Sequence, residues 1–317
     1  MLDKWEQMLQ LNKGSILSVL HLPMQHVEQI IAGTHRNLEK KSLSNELKVP
    51  PNSIIGLIFE QPSHRTKNSF YSAAICLGAS IIDLSESYKN SCFRGESLSD
   101  FCRTAECYVD CLVVRSPSST LIAEIDELVQ IPVINAGNAQ IEHPTQALAD
   151  LSVIRKNFRN LERLKISIIG CLRTSRCANS LALLLAPFQP RILMVCPSEL
   201  ALRKEYQSIA EKRGAVFQHS VSLSDALDDD VLYFTGGTFL EDFCDISEYE
   251  RYHKWFNFPS GIFKNLAAHA IVLHPLPRGL ELPSDVDNDI RVRIFDQVRH
   301  GLAVRKVILA NSLGAIV

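Results

Sequence analysis

Residues 56–70, GLIFEQPSHRTKNSF, pass directly from an apolar run into a basic, hydroxylated segment. The apolar residues predict a buried strand, and the stretch from Lys67 onward predicts a helix. Between them, Ser63-His64-Arg65-Thr66 offers backbone N–H groups at a helix start, two hydroxyls and an arginine fork, and all of these groups bind anions. On these residues alone, an ordinary serine N-cap beside solvated cations is an equal alternative.

Short β-branched runs recur on both sides of this segment, separated by amphipathic stretches. Continuous apolar strands are typical of parallel sheets covered on both faces, and their alternation with helices predicts a doubly wound α/β fold. A helix predicted over 143–160, with Pro144 in its first turn, joins the two sheets. The predicted strands cover residues 53–59, 79–84, 111–116, 131–136, 165–170, 191–196, 230–234 and 270–274.

The length of 317 residues suits two domains. We expect a first domain over residues 1–142 and a second over 143–294. The apolar spacing near the C-terminus predicts a helix over 295–317, which we expect to pack back on the first domain.

Composition excludes several classes of protein. The 33 basic and 35 acidic residues give a net charge of -2, without the basic excess that nucleic acid or a membrane surface demands. No apolar run reaches the roughly 20 residues of a membrane span, and the N-terminus does not resemble a signal peptide. The nine scattered cysteines indicate reduced thiols and a cytoplasmic location. Metal binding at Cys102, Cys107 and Cys111 is the minor alternative, so we expect no metal.

Three further stretches carry chemistry. Arg115 ends an apolar strand, where parallel sheets place ligands, although it could simply pair with a carboxylate. His143 and Gln146 are three residues apart at a helix start and can share one face, although a histidine there could act as a cap. Residues 273–279, LHPLPRG, form a stiff loop that exposes main-chain carbonyls, or an ordinary rigid turn.

Together these stretches resemble, in their order and spacing, the aspartate/ornithine carbamoyltransferase family. The family's marks are Ser-x-Arg-Thr, a strand-end arginine, His-Pro-x-Gln and a late His-x-Leu-Pro. The resemblance runs from about residue 15 to the C-terminus and is closer to the aspartate branch. The matching residues are Ser63 to Thr66, Arg115, His143 to Gln146 and His274 to Pro277.

The resemblance implies two α/β domains that enclose a cleft, with carbamoyl phosphate on the first and the amino acceptor on the second. It also implies a homotrimer with shared active sites, small-molecule substrates and no cofactor. The implied catalytic residues are Arg65, Thr66, Arg115, His143 and Gln146. The implied carbamoyl-phosphate site comprises Ser63, His64, Arg65, Thr66, Arg94 from a neighbouring subunit, Arg115, His143, Gln146, Pro275 and Leu276.

The acceptor half departs from the family pattern. Arg176 matches the arginine that binds the acceptor's α-carboxylate, but Gly236 and Thr238 replace the arginine and glutamine that recognise an aspartate side chain. Loss of one charged hydrogen bond, about 1.5–3 kcal/mol, should weaken aspartate binding about tenfold or more. The implied acceptor-binding residues are Arg176, Arg94, Gly236, Thr238 and Leu276.

We therefore predict a cytoplasmic carbamoyltransferase that acts on the amine of an amino-acid-like acceptor and is not optimised for aspartate. Glu241 and Asp242 could meet a cationic acceptor, although acids in a helix's first turn are the more ordinary interpretation. Aspartate carbamoylation of pyrimidine synthesis is the alternative if Arg173 or Arg278 supplies the missing cation. A catalytically silent scaffold is a second alternative. A nucleotide-binding protein is a third, but the chain lacks the glycine-rich fingerprint.

Overall fold

The computed structural model describes residues 14–39 and 47–315. Within these ranges the chain forms two compact units. The first comprises the described residues up to Ser152 together with those from Arg299 onward, and the second is Val153–Val298. The functional division predicted at 142/143 and 294/295 stays a prediction, and the ends of the outer predicted segments, 1–13 and 316–317, lie outside the described residues.

Regular helices and strands alternate through both units, as the sequence predicts. The α-helices of the described residues are α1 Met24–Glu39, α2 His64–Leu77, α3 Ser85–Arg94, α4 Leu98–Glu106, α5 Leu121–Leu128, α6 Pro144–Asn157, α7 Arg176–Leu185, α8 Lys204–Lys212, α9 Ile246–Tyr252 and α10 Ile294–Ser312. The strands are β1 Ile54–Phe59, β2 Ser80–Asp83, β3 Cys111–Ser116, β4 Val133–Asn138, β5 Lys165–Gly170, β6 Arg191–Val195, β7 Val216–Ser220, β8 Val231–Thr235 and β9 Ile271–Leu273.

The first unit contains a parallel sheet in the order β2-β1-β3-β4. Its central strands β1 and β3 are almost wholly buried, because helices cover both faces and every apolar side chain removed from water favours folding. The edge strand β2 is short and mostly exposed. This unit confirms the predicted doubly wound architecture for the first half of the chain.

The second unit contains a parallel sheet in the order β7-β6-β5-β8-β9. Four of its strands match predicted ones, and β7, VFQHS, is an addition. This strand lies at the sheet edge and is largely exposed, so it lacks the continuous apolar run that identifies the central strands. The second sheet confirms the prediction of a second parallel α/β domain.

A charged network fixes the end of β1, immediately before the basic segment. Lys67 pairs with Asp83 at 2.6 Å, and Ser85 Oγ donates to Asp83 at 2.6 Å. The same hydroxyl accepts the Phe59 N–H at 3.0 Å. Burial opposes ionisation of Asp83, but the bonds from Lys67 and Ser85 outweigh it and lower the pKa of this carboxyl. The network ties the first turn of α2 to the ends of β1 and β2.

We expect Asp83→Asn to lower the free energy of unfolding at pH 7 by a few tenths to about 1 kcal/mol, because the pair is partly exposed. The pKa of Asp83 is lower in the folded state, so its contribution is present at neutral pH and is lost as the pH falls below the unfolded pKa of about 3.9. Urea unfolding from pH 7 to pH 3 should show the difference between parent and variant shrinking. Glu86→Gln, in the exposed Lys89–Glu86 pair, is the control; an equal effect there would contradict the expectation.

The carboxyl ends of β5 and β8 touch through a glycine. Gly170 pairs with Thr235 and has a φ of +139°. A Cβ atom built on Gly170 would lie 2.3 Å from the Thr235 carbonyl oxygen and 2.6 Å from the Gly236 carbonyl oxygen. Backbone atoms cannot move aside as a side chain can, so only glycine allows this close approach.

Gly170→Ala should therefore destabilise the second unit by about 1–3 kcal/mol or more, through overpacking and the unfavourable φ. The free energy of unfolding from urea denaturation measures the loss. Gly261→Ala is the matched control, because a Cβ there meets no described atom within 4 Å. Equal stability of the two variants would refute the expectation.

Candidate active site

The predicted anion-binding segment lies at the start of α2. Ser63 is the N-cap residue, with φ −150° and ψ 91°, and α2 begins at His64. The first-turn N–H groups of His64, Arg65 and Thr66 therefore lie where the helix dipole is positive, and the first turn carries no acidic residue. Within the described helix, the Ser63 hydroxyl makes no capping bond. The geometry thus favours an anion site over a simple serine cap.

Arg115 lies beside this segment because of strand register. Arg115 is the partner of Phe59 in the β1–β3 ladder, and its carbonyl accepts the Glu60 N–H at 3.0 Å. The side chain is half-buried. Since β1 runs into the α2 segment directly after Glu60, the fold brings Arg115 to the same sheet edge as Ser63 to Thr66.

A hydrogen-bonded loop after β4 positions His143. The Asn138 N–H donates to the Glu142 carbonyl at 3.1 Å, and the Glu142 N–H donates to the Asn138 side chain at 3.2 Å. The buried Glu142 carboxylate also accepts the Ser18 hydroxyl and, at 3.1 Å, the Val19 N–H. These bonds fix the residue that precedes His143.

His143 contacts the α2 segment directly. The residue is 4% exposed; ring Nε2 lies 3.5 Å from Thr66 Oγ1, and Nδ1 lies 3.5 Å from Thr145 Oγ1. One turn along α6, Gln146 Nε2 donates to Asp150 at 2.8 Å, and this bond leaves the amide oxygen Oε1 as the acceptor. The first unit therefore brings together the predicted residues of the α2 start, the β3 end and the α6 start.

Arg94 is placed differently from these residues. It is the last residue of α3, exposed, and followed by Gly95 in the left-handed conformation. Among the residues that the structure describes, the Arg94 side chain makes no hydrogen bond or ion pair. Its predicted role in a neighbouring subunit's site stays a prediction.

Arg176 begins α7 in the second unit. The N-cap Ser175 accepts the Ala178 N–H at 3.1 Å, and its hydroxyl hydrogen-bonds the Thr235 hydroxyl at 2.6 Å. Burial lowers the pKa of Arg176, although an arginine remains charged at neutral pH. A cation at the carboxyl end of β5 stands where α/β sheets bind ligands.

The loop after β8 is closed by a carboxylate. Asp242, in a 3₁₀ turn over Leu240–Asp242, accepts the N–H groups of Gly237, Thr238 and Phe239 through one oxygen. Burial raises the pKa of Asp242, the nearby Glu281 carboxylate adds to the rise, and the three N–H bonds oppose it. Glu241, the other predicted acid, is exposed.

The proline loop after β9 is held by a buried pair. The Leu276 N–H donates to His274 Nδ1 at 2.8 Å, so the ring proton lies on Nε2, which donates to Glu281 at 2.8 Å. Burial opposes ionisation of Glu281, but bonds from His274, Thr238 and Gly279 outweigh it and lower the pKa. Leu276 has a φ of +59°, a conformation that a leucine adopts only when its surroundings impose it.

The two arginines considered as substitutes for the missing cation are both engaged. Arg173 pairs with Glu248 at 2.5 Å and donates to Cys244. Arg278 donates through both terminal nitrogens to Asp287. Each guanidinium is thus neutralised by a carboxylate of its own unit.

Three further carboxylates, of Asp150, Asp242 and Glu281, orient predicted site residues or fill their loops, and the sequence indicated a role only for Asp242. In the sequence, these three acids are marked only by their distance from a predicted site residue: four residues after Gln146, four after Thr238 and seven after His274. Such spacings are too common to identify functional carboxylates.

Among the described residues, no three His, Cys, Asp or Glu side chains are grouped to hold a metal ion. Within the same ranges, each helix is too short or too polar to cross a bilayer.

Comparison with family models assigns both units. Residues 15–156 match the model described as aspartate/ornithine carbamoyltransferase, carbamoyl-P binding domain. Residues 162–311 match the model described as aspartate/ornithine carbamoyltransferase, Asp/Orn binding domain.

Curated relatives and solved structures agree with this assignment. The aspartate carbamoyltransferase catalytic subunit of Thermococcus gammatolerans is 32% identical over 306 residues, covering 96% of this chain and 99% of the relative. That of Methanopyrus kandleri is 37% identical over 263 residues, covering 82% and 85%. The aspartate transcarbamoylase of Trypanosoma cruzi, solved with carbamoyl phosphate and aspartate, superposes with a TM-score of 0.84 at 30% identity, covering 95% and 97%. The chain therefore belongs to the aspartate/ornithine carbamoyltransferase family.

Proposed function

We propose that this chain transfers the carbamoyl group of carbamoyl phosphate to the amine of an amino-acid acceptor. The observation that carries the proposal is the contact of His143 with Thr66 at 3.5 Å, beside the start of α2 and the end of β3. If the phosphate group of carbamoyl phosphate binds at the start of α2, the carbamoyl carbonyl next to it would lie within reach of Thr66, Arg115 and His143.

The phosphate would lie at the start of α2. The N–H groups of His64, Arg65 and Thr66 and the Ser63 hydroxyl supply donors, and the helix dipole favours the negative charge. Arg65 adds a guanidinium fork, whose two parallel donors match phosphate oxygens. The phosphate carries more charge than any other part of carbamoyl phosphate. Its contacts at the start of α2 would therefore do most to orient the substrate.

The carbamoyl oxygen would face Thr66, Arg115 and His143. Attack by a neutral amine forms a C–N bond and builds negative charge on this oxygen, which the three donors stabilise. The C–O bond to phosphate then breaks, and the departing phosphate takes the amine proton. Gln146 is oriented by Asp150 so that its Oε1 can accept from the carbamoyl NH₂ group.

The acceptor would be held by the second unit, with Arg176 on its α-carboxylate. The backbone carbonyls of Pro275 and Leu276, in the same unit, would serve as hydrogen-bond acceptors for the attacking amine. The imposed conformation of Leu276 supports this role, because strained backbone concentrates at functional sites. The homotrimer, the part of Arg94 in it and the cytoplasmic location stay proposals beside this assignment.

L-Aspartate is the first candidate for the acceptor. The relatives named aspartate carbamoyltransferase support it better than they support the altered acceptor that the sequence favours. One observation favours an altered acceptor as the second candidate. The loop at Gly236 and Thr238 presents the Asp242 carboxylate rather than a cation. The catalytically silent scaffold is not favoured by any observation of this kind. The first unit keeps all the predicted hydrogen-bond donors, which a protein without catalytic activity would not need.

The test is phosphate release from carbamoyl phosphate with a panel of amino acids, L-aspartate included. At least one α-amino acid should accelerate release, and His143→Ala should lower kcat with it by about 10²–10³-fold, the effect of removing one donor to a developing oxyanion.

His269→Ala, which changes an exposed histidine paired with Asp230, is the matched control and should leave kcat unchanged. Circular dichroism checks that both variants fold. The proposal fails if the parent releases no phosphate above the buffer rate with any acceptor, or if folded His143→Ala keeps full activity.

A further inference from the structure

Three consecutive backbone N–H groups at the carboxyl end of β8 converge on one oxygen. Those of Gly237, Thr238 and Phe239 lie 2.6, 3.2 and 3.0 Å from Asp242 Oδ2. Successive N–H groups that point into one concavity form a binding site for an external anion in many proteins. We call these three groups the amide cradle. Here its occupant is a carboxylate of the same chain.

The residue before the amide cradle is coupled to this occupant. Gly236 has a φ of +61°, and a Cβ built on it would lie 2.6 Å from Asp242 Oδ1. A larger side chain at 236, arginine included, would therefore require the Asp242 carboxylate to shift out of its place in the amide cradle. The glycine at 236 and the seated Asp242 carboxylate are thus sterically coupled.

The amide cradle lies at the same sheet edge as Arg176. The Asp242 carbonyl accepts the Cys171 thiol at 3.0 Å and the Thr174 hydroxyl at 2.6 Å, and both donors belong to the segment between β5 and α7. Arg176 is the first residue of α7. These bonds hold the loop of the amide cradle against the segment that leads into Arg176. An acceptor whose α-carboxylate binds Arg176 would therefore extend its side chain along the same sheet edge.

The electrostatics at the amide cradle disfavour a second carboxylate. Thr238 donates its N–H to Asp242 and its hydroxyl, at 2.5 Å, to Glu281. The loop is thus satisfied by two acidic side chains of the protein. A carboxylate brought by a ligand would have to displace Asp242, and it would meet like charge from both residues.

We propose that Asp242 is a specificity-determining residue, which fills the amide cradle with its own carboxylate and selects against acceptors whose side chain carries a carboxylate. This inference rests on the proposed function, since it assumes an amino-acid acceptor at Arg176. It names the acceptor class: an amino acid with a neutral or cationic side chain. This inference favours the second candidate acceptor of the proposed function over L-aspartate, which would then bind the parent protein weakly.

The test compares two ligands that differ in this one group. Calorimetric titration gives Kd values for L-aspartate and L-asparagine with the parent, Asp242→Ala, Asp242→Asn and Glu241→Ala, each with phosphonoacetamide present. Asp242→Ala empties the amide cradle, so the ratio of Kd for asparagine to Kd for aspartate should rise by about tenfold or more. Asp242→Asn keeps an acceptor there but removes the charge, so it should give a smaller rise.

Glu241→Ala removes an adjacent exposed charge outside the amide cradle and should change the ratio by about threefold or less. If Asp242→Ala does not fold, as judged by circular dichroism, Asp242→Asn carries the test. The proposal is overturned if the ratio is unchanged in the folded Asp242 variants, if they do not bind aspartate, or if Glu241→Ala raises the ratio equally. Phosphate release, assayed separately, reports on the proposed function, so the two failures are distinguishable.

Discussion

The first unit depends on a helix that starts directly at the end of a buried strand. The central strand β1 is held on both sides by parallel neighbours, so the chain must leave the sheet at Glu60 and turn into α2 at His64. The first-turn N–H groups, which lie outside the helix's own hydrogen-bond ladder, and the positive end of the dipole then lie at this sheet edge. Arg115 and His143 reach the same edge because β3 and β4 are the next strands in order. Sheet order thus brings residues that are far apart in the sequence to one edge, where we propose the anion site.

The second unit also contains a parallel sheet, but a different set of charges lies at the carboxyl ends of its strands. These strand ends lead to the half-buried Arg176 and to two carboxylates that are satisfied within the protein. Glu281 is held by His274 and Thr238, while Asp242 is held by backbone N–H groups. Charges fixed in this way need no rearrangement when a ligand arrives, and in our proposal they select it by repulsion as much as by attraction.

The strands of both sheets could be predicted because continuous apolar runs mark parallel strands covered on both faces. The edge strand β7 escaped prediction because its exposed, mixed residues carry no such mark. The strand-to-helix junction around Ser63 could be predicted because an apolar run there passes into a helical stretch, and its role as an anion site stays a proposal. The amide cradle could not be predicted, since it depends on the turn that brings Asp242 back onto three N–H groups. Nor could the pairing of Arg173 and Arg278 with acids, which only folding determines.

A carbamoyl-phosphate site at the start of α2 underlies the proposed function, and a crystal structure with phosphonoacetamide tests this site most directly. This analogue replaces the bridging oxygen of carbamoyl phosphate with a methylene group, so it cannot transfer its carbamoyl group. We predict phosphonate oxygens within hydrogen-bond distance of the N–H groups of His64, Arg65 and Thr66, with the amide oxygen facing His143. A phosphonate bound elsewhere, with the first turn of α2 open to solvent, would contradict the account.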